Sequence, residues 1–325
     1  MKRVFVAALA LWWAGSARAA ATVVLPPSPA FVSIPAGELR DKYDVVWAVS
    51  DIHGHREQLE QLLVGAGLAV RGQGGQLGWT PGKARQLLVV VGDCIDDGPD
   101  SYGVVMLFQA LQPQADAAGS RVLVLLGNHE VDFLYKPKKA SRELLSSAER
   151  AGMRLSRKHR GEQLAQSTFG EVLQQMPVAA FLGSWMFAHA GYLDAEDDDK
   201  ALSDYFVRIA SSWPGGDQER YRPLKDSQSI VEFHGWWKRS KRLSRMKALL
   251  ARLGLEGLVF GHDPDAFGAQ GIIAQRGGWL IKIDTGLKTS RSQGMLLRCE
   301  VAQGIGTSGC RGMTPDGALR DLPAR

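Results

Sequence analysis

Asp51 and His53 open a series of five short polar segments, the first of which reads Asp51-Ile52-His53-Gly54-His55. The others are Gly92-Asp93-Cys94-Ile95-Asp96, Gly127-Asn128-His129-Glu130, His189-Ala190-Gly191 and Gly261-His262. Carboxylate, amide and imidazole groups offer oxygen and nitrogen donors, which suit Mn, Fe or Zn rather than Cu(I) or an iron–sulfur cluster. Glycines stand beside the donors, where a backbone must turn sharply and approach an ion closely. Each segment alone says little, because an Asp-x-His is common in surface loops and a lone His-Ala-Gly carries no information. Together they hold five of the chain's seven histidines, and that concentration marks a metal constellation rather than chance.

Each segment follows an apolar run of strand length. Residues 44–50 (DVVWAVS) lead into Asp51, 86–91 (QLLVVV) into Gly92 and 121–126 (RVLVLL) into Gly127. Residues 57–68 and 101–118 carry apolar positions at helical spacing, and 72–78 read as a loop. The order strand, helix, strand, helix, strand predicts an α/β fold, with the polar segments gathered at the carboxyl ends of the strands. Further apolar runs at 184–188, 257–260, 271–274, 279–283 and 295–301 lie close together with few helices between them. They predict a mixed or antiparallel sheet.

The rest of the chain sets the boundaries. Residues 1–19 combine Lys2 and Arg3, an uncharged apolar stretch and small residues at Ala17 and Ala19. That is the pattern of a signal peptide, and it predicts a periplasmic or secreted protein without stable membrane insertion after cleavage. The leader takes three of the 39 basic residues with it, leaving 36 against 34 acidic ones. This near balance gives no footprint for nucleic acid. Residues 20–43 are expected to be a linker, 44–302 the catalytic domain with a charged helical insertion at about 131–175, and 303–325 a disordered tail. The insertion carries basic stretches at 136–139 and 157–160, readable as a solvated face or as a contact for phosphoproteins. Of the three cysteines, Cys299 and Cys310 could close a small loop or remain as two thiols.

The order D-x-H-G, G-D-x-x-D, G-N-H-E, H-A-G and G-H resembles that of the calcineurin-like metallophosphoesterases. Within them the chain is most similar to the phosphoprotein-phosphatase type, particularly the bacterial Shewanella-like protein phosphatases. Residues 92–101 (GDCIDDGPDS) resemble that branch's second motif, and Ile283-Asp284-Thr285-Gly286 its late strand-to-turn element. The resemblance implies an α/β sandwich of two mixed β-sheets flanked by α-helices. It implies Asp51 and His53 on a first metal, Asp93 bridging two, and Asn128, His189 and His262 on the second. Two cations about 3.5–4 Å apart would bind phosphate oxygens and turn a shared water into hydroxide. His129 would be the general acid and Asp96 its carboxylate partner, while the role of His55 stays open.

The implied reaction is hydrolysis of phosphate monoesters, with proteins phosphorylated on Ser, Thr or Tyr, or small phosphate esters, as substrates. A diadenosine-polyphosphate hydrolase or nucleotidase shares the same motifs, and a catalytically degenerate, metal-bound binding protein is the rival outside enzymology. Two positions depart from the family: Asp97 stands where an Arg is usual, and Asp263 where Thr is usual. Phosphate needs a cationic clamp. Residues 234–239 (HGWWKR) supply Arg239 as the candidate, and Asn128 is the other expected substrate-binding residue. Trp236 and Trp237 could wall the site or simply pack.

Overall fold

The computed structural model describes residues 23–82, 84–213, 218–288, 292–306 and 308–325, so the expected leader at 1–19 lies outside the described residues. The chain runs through β1 (Phe31–Ile34), α1 (Ala36–Lys42), β2 (Val45–Val49), α2 (Arg56–Gly65), β3 (Ala69–Arg71), β4 (Leu77–Trp79) and β5 (Gln86–Val91). Next come α3 (Ser101–Ala117), β6 (Arg121–Leu125), α4 (Asn128–Tyr135), α5 (Arg142–Arg150), α6 (Arg160–Ala165) and α7 (Thr168–Gln175). The second half holds β7 (Ala179–Leu182), β8 (Trp185–Ala188), α8 (Asp199–Ser211), α9 (Ser240–Arg252), β9 (Gly257–Phe260), β10 (Ala274–Arg276) and β11 (Leu280–Lys282). It closes with β12 (Leu296–Glu300), β13 (Cys310–Met313) and β14 (Leu319–Asp321).

Two six-stranded mixed sheets form the sandwich, in the orders β1-β7-β8-β9-β11-β10 and β14-β13-β12-β2-β5-β6. Strands β2, β5 and β6 are parallel neighbours, as β8, β9 and β11 are in the other sheet. Their facing sides pack Val46, Ala48, Val89 and Leu125 against Ala180, Phe187, Val259 and Ile281, all buried. With helices covering the outer faces, β2 and β5 are buried on both sides, so their sequences run apolar without alternation. The strand-helix-strand pattern of the first half holds, and because β2, β5 and β6 are parallel the turns that follow them share one edge of the sandwich.

Three boundaries differ from expectation. The segment read as a linker contains β1, an edge strand paired in parallel with β7, and α1. Phe31 packs edge-on against Phe181 and Phe206 at 6.3 and 5.3 Å between ring centroids. Four residues between prolines show no period, and their pairing partner lies far along the chain. The expected disordered tail instead extends the second sheet with β13 and β14. Of the segment 72–78 read as a loop, 72–76 form the turn of a small hairpin, and Leu77 and Gly78 already belong to β4, paired with β3.

The tail is also tied covalently, because Cys299 and Cys310 face each other across β12 and β13 and form a disulfide. Closing a loop of this size restricts the unfolded chain by about 2–3 kcal/mol. Replacing both cysteines with serine should lower the thermal midpoint by several degrees. Calorimetry of the oxidised protein against the double variant checks it, and an unchanged midpoint would remove the disulfide from the account of stability.

Candidate metal centre

All five polar segments sit where the pattern of strands predicts, at the carboxyl ends of β2, β5, β6, β8 and β9. The turns there are tight. Among the described residues seven non-glycine positions have positive φ, and six of them are Asp51, His53, Asp93, Asp96, Asp97 and His262. Such conformations are costly for side chains with a Cβ and persist where the surroundings over-determine them. Two glycines allow the loops to close in: a Cβ on Gly127 would stand 2.1 Å from Asp93 Oδ1, and one on Gly261 2.3 Å from Asp51 Oδ2.

Glu130, fully buried at the third position of α4, organises the bridge between loops. Its carboxylate accepts the backbone N–H groups of Asp93 (2.9 Å), Cys94 (2.7 Å), Ile95 (3.2 Å) and Gly127 (2.8 Å). Burial and then the charge of Asp93 push its pKa up to about 7, while the bond from Gly127 works in the other direction. Asp93 in turn accepts the N–H of His129 at 3.1 Å, and Asp51 accepts the N–H of His262 with both oxygens at 2.9 and 3.1 Å.

The three buried imidazoles have their orientation set by backbone carbonyls. His53 Nδ1 donates to Ile95 O (3.2 Å), His189 Nδ1 to Val91 O (2.9 Å) and His262 Nε2 to Glu232 O (2.9 Å). A carbonyl only accepts, so in the neutral form of each ring the opposite nitrogen carries the lone pair that a metal ion would take. Those lone pairs converge. His189 Nε2 lies 3.1 Å from His262 Nδ1, 3.0 Å from Asn128 Oδ1 and 3.2 Å from Asp93 Oδ2. His53 Nε2 faces Asp93 Oδ2 at 3.7 Å and Asp51 Oδ1 at 4.0 Å. Acceptors this close repel one another unless a positive charge stands among them, and imidazoles locked by a second hydrogen bond are how proteins present metal ligands.

The charge balance agrees. Burial disfavours a protonated His189, but Asp93 and then Asp51 outweigh it and hold its pKa up to about 10. Burial and the neighbouring His189 push His262 down to about 2. A pocket that stabilises a proton so strongly will stabilise a cation. Two donor groups capable of holding one emerge, Asp51–His53–Asp93 and Asp93–His189–His262, sharing Asp93. Asn128 adds its amide oxygen to the second. His53, Asp97 and His129 also approach one another, but there Asp97 meets the His53 nitrogen that is committed to Ile95.

Beside these donors stands His129. Its Nδ1 binds Asp96 Oδ2 at 3.0 Å, and its Nε2 lies 3.8 Å from Asp93 Oδ2. Burial works to lower its pKa, yet Asp93 and then Asp96 raise it to about 9. Ser141, the N-cap of α5, donates to the other oxygen of Asp96 and accepts the N–H of Leu144. This contact ties the helical insertion to the His129–Asp96 pair, and no local pattern announces it.

The departures find partners. Asp97 accepts a hydrogen bond from Lys288 Nζ at 3.2 Å, which keeps its carboxyl below the usual range although burial acts to raise it. Asp263 accepts the indole N–H of Trp237 at 2.9 Å. Trp236 and Trp237 are both buried, so packing describes them better than an open wall. Trp236 also donates to Ala190 O, next to His189. Arg239 is exposed at the start of α9 and makes no ion pair among the described residues. His55 caps α2 outside the donor cluster, with Nε2 buried and without a partner. Asp284 is buried, and first burial, then the charge of Asp51, lift its pKa well above the usual carboxylate range.

A two-sheet sandwich carrying converging oxygen and nitrogen donors at one edge is suited to a metal-dependent hydrolase, and the family it matches makes phosphoric esters its substrates. Residues 45–266 match the family model of calcineurin-like phosphoesterases, and the chain belongs to that family, with divalent metal ions as its cofactors. It is 28% identical over 268 residues to an uncharacterized protein of Schizosaccharomyces pombe, covering 77% of this chain and 75% of that one. Shewanella-like protein phosphatase 2 of Arabidopsis thaliana is 29% identical over 126 residues, which is 37% of this chain but only 31% of the plant protein. A cold-active protein-tyrosine phosphatase of a Shewanella species shares the fold with a TM-score of 0.66 at 18% identity, over 93% of this chain and 83% of that one. A Saccharomyces cerevisiae protein serine/threonine phosphatase does so with a TM-score of 0.55 at 18% identity, over 92% and 85%.

Proposed function

We propose that the chain is a dinuclear-metal phosphomonoesterase acting on phosphorylated Ser, Thr or Tyr in proteins. The observation that supports it most is Asp93, whose Oδ2 faces the Nε2 of His53 on one side and of His189 on the other. In this reading Asp51, His53 and Asp93 hold one ion, and Asp93, Asn128, His189 and His262 the other, with Mn, Fe or Zn suited to the donors. Two such ions would neutralise charge on phosphoryl oxygens and make water a competent nucleophile near neutral pH.

The chain's own residues handle the leaving group. As the bond from phosphorus to the ester oxygen breaks and water forms the new one, His129 gives its proton to the departing oxygen. Asp96 keeps Nδ1 protonated and the ring aimed, so Nε2 is the donor, and Ser141 keeps Asp96 in place. The protein phosphatases that share this fold, and the plant Shewanella-like phosphatase, support phosphoproteins as the substrate class. Turnover of p-nitrophenyl phosphate with added manganese, then competition of phosphopeptides against nucleotides, tests the reading. Inactivity toward every ester would sink it.

Arg239 remains the proposed phosphate clamp, and Lys288 joins it as the cation that neutralises Asp97. Loss of a charged hydrogen bond to phosphate costs about 1.5–3 kcal/mol, so Arg239→Ala should lower kcat/KM roughly 10- to 100-fold, largely through KM. Lys288→Ala leaves Asp97 uncompensated beside an anionic substrate and should also raise KM. Steady-state kinetics decides between them: an Arg239→Ala enzyme that behaves like wild type on all esters moves the clamp to Lys288.

Export to the periplasm or beyond is part of the proposal. The Cys299–Cys310 disulfide supports it, since such bonds persist in oxidising compartments. Among the described residues no helix is long and apolar enough to cross a membrane. N-terminal mass spectrometry of protein recovered from the cell envelope checks it, with cleavage after Ala19 expected.

A further inference from the structure

Beside the His129–Asp96 pair the start of the insertion lines a cavity of about 430 Å³. His129, Asp96 and Ser141 form part of its wall, and Lys136, Lys139 and Lys225 bring three ammonium groups to it. These lysines are not equivalent. Lys225 is neutralised, bound to Asp132 and, at 3.2 Å, to Glu232, and it serves to pin α4 to the segment before β9. Lys136 lies over the ring of Tyr135 with its Nζ 4.8 Å from the centroid, and neither it nor Lys139 has an acidic partner among the described residues. Asp96 is committed to His129, and Asp132 to Lys225. Two uncompensated cations therefore line the same cavity as His129, the group proposed to protonate the departing oxygen.

We propose that this cavity receives the leaving group and selects one that carries a second negative charge. The inference rests on the phosphoesterase reading and on His129 as the acid, because only then does the leaving group lie on this side. A second anion placed near Lys136 and Lys139 is attracted in the bound ester and still more as the oxygen departs with growing negative charge. A neutral or cationic leaving group gains nothing from them. The anion has two chemical sources, an acidic side chain beside the phosphorylated residue of a protein or a second phosphate on a small ester.

Four substrates separate the sources. Two are phosphopeptides identical except for Glu or Lys neighbours, and two are small esters, propanediol monophosphate and its bisphosphate. In wild type the anionic member of at least one pair should have a kcat/KM roughly three- to tenfold higher, the worth of two exposed charge pairs. The ratio should shrink as salt rises. In K136Q/K139Q it should fall close to one, and K136R/K139R, which keeps both charges and reports on folding, should retain it. A preference among peptides alone assigns the cavity to acidic protein segments, and among small esters alone to a second phosphate. Equal rates within both pairs in wild type overturn the inference and leave the phosphoesterase reading standing. So does a preference that survives K136Q/K139Q. No turnover of any of the four overturns that reading and this inference with it.

Discussion

Asp93→Asn should leave a folded protein that holds almost no metal and hydrolyses no ester measurably. The substitution removes one charge and keeps the shape. Oδ1 can still accept the N–H of His129, and Glu130 still holds the Asp93 backbone. The new amide can donate to His189 Nε2, which lies 3.2 Å from the present oxygen. What disappears is the only carboxylate shared by both donor groups. A neutral amide cannot hold two cations together against their mutual repulsion, and His53 and His189 lose the anion they both face. Thermal unfolding separates loss of metal from loss of fold. Wild type should gain stability with added manganese, as any ligand specific for the native state confers, and the variant should not. Elemental analysis showing two ions per chain in an active Asp93→Asn enzyme would refute the bridging assignment.

The donors were legible in the sequence because each sits immediately after a buried strand. Local patterning therefore gives both the residue and its place in the fold, as with Asp93 after β5 and His189 after β8. The supports were not legible, since they depend on contacts between distant segments. Glu130 stands inside a recognised motif, yet its four accepted hydrogen bonds appear only when the loops after β5 and β6 meet. Ser141 reaches Asp96 across the insertion. Lys288 meets Asp97 from the far end of the chain, which turns an apparent conflict with an anionic substrate into a neutral pair. The edge strands follow the same logic. β1 and β13 are four residues each, too short to show a period, and their pairing is supplied by partners remote in sequence or by a disulfide.

His129→Asn should keep both ions and lose the acid. No proposed ligand is touched by the change, because the ring of His129 binds Asp96 and only its backbone N–H contacts Asp93. With Nδ1 committed to Asp96, the proton available to a substrate is the one on Nε2. Asp93 and then Asp96 outweigh burial and raise the ring's pKa to about 9, and where cations neutralise Asp93 the bond to Asp96 still favours the protonated ring. An asparagine side chain supplies a hydrogen bond but no transferable proton. Turnover should then fall roughly 10²- to 10⁴-fold, the usual worth of general acid catalysis. The size of the loss should depend on the leaving group. Phenyl phosphate releases a strongly basic oxygen and needs the proton, whereas p-nitrophenyl phosphate releases a weakly basic one and needs it far less. The variant should therefore be much closer to wild type on the nitrophenyl ester, at unchanged metal content. Equal losses on the two esters would mean that His129 contributes charge or position rather than a proton, and would return Asp96 and Ser141 to a purely structural role.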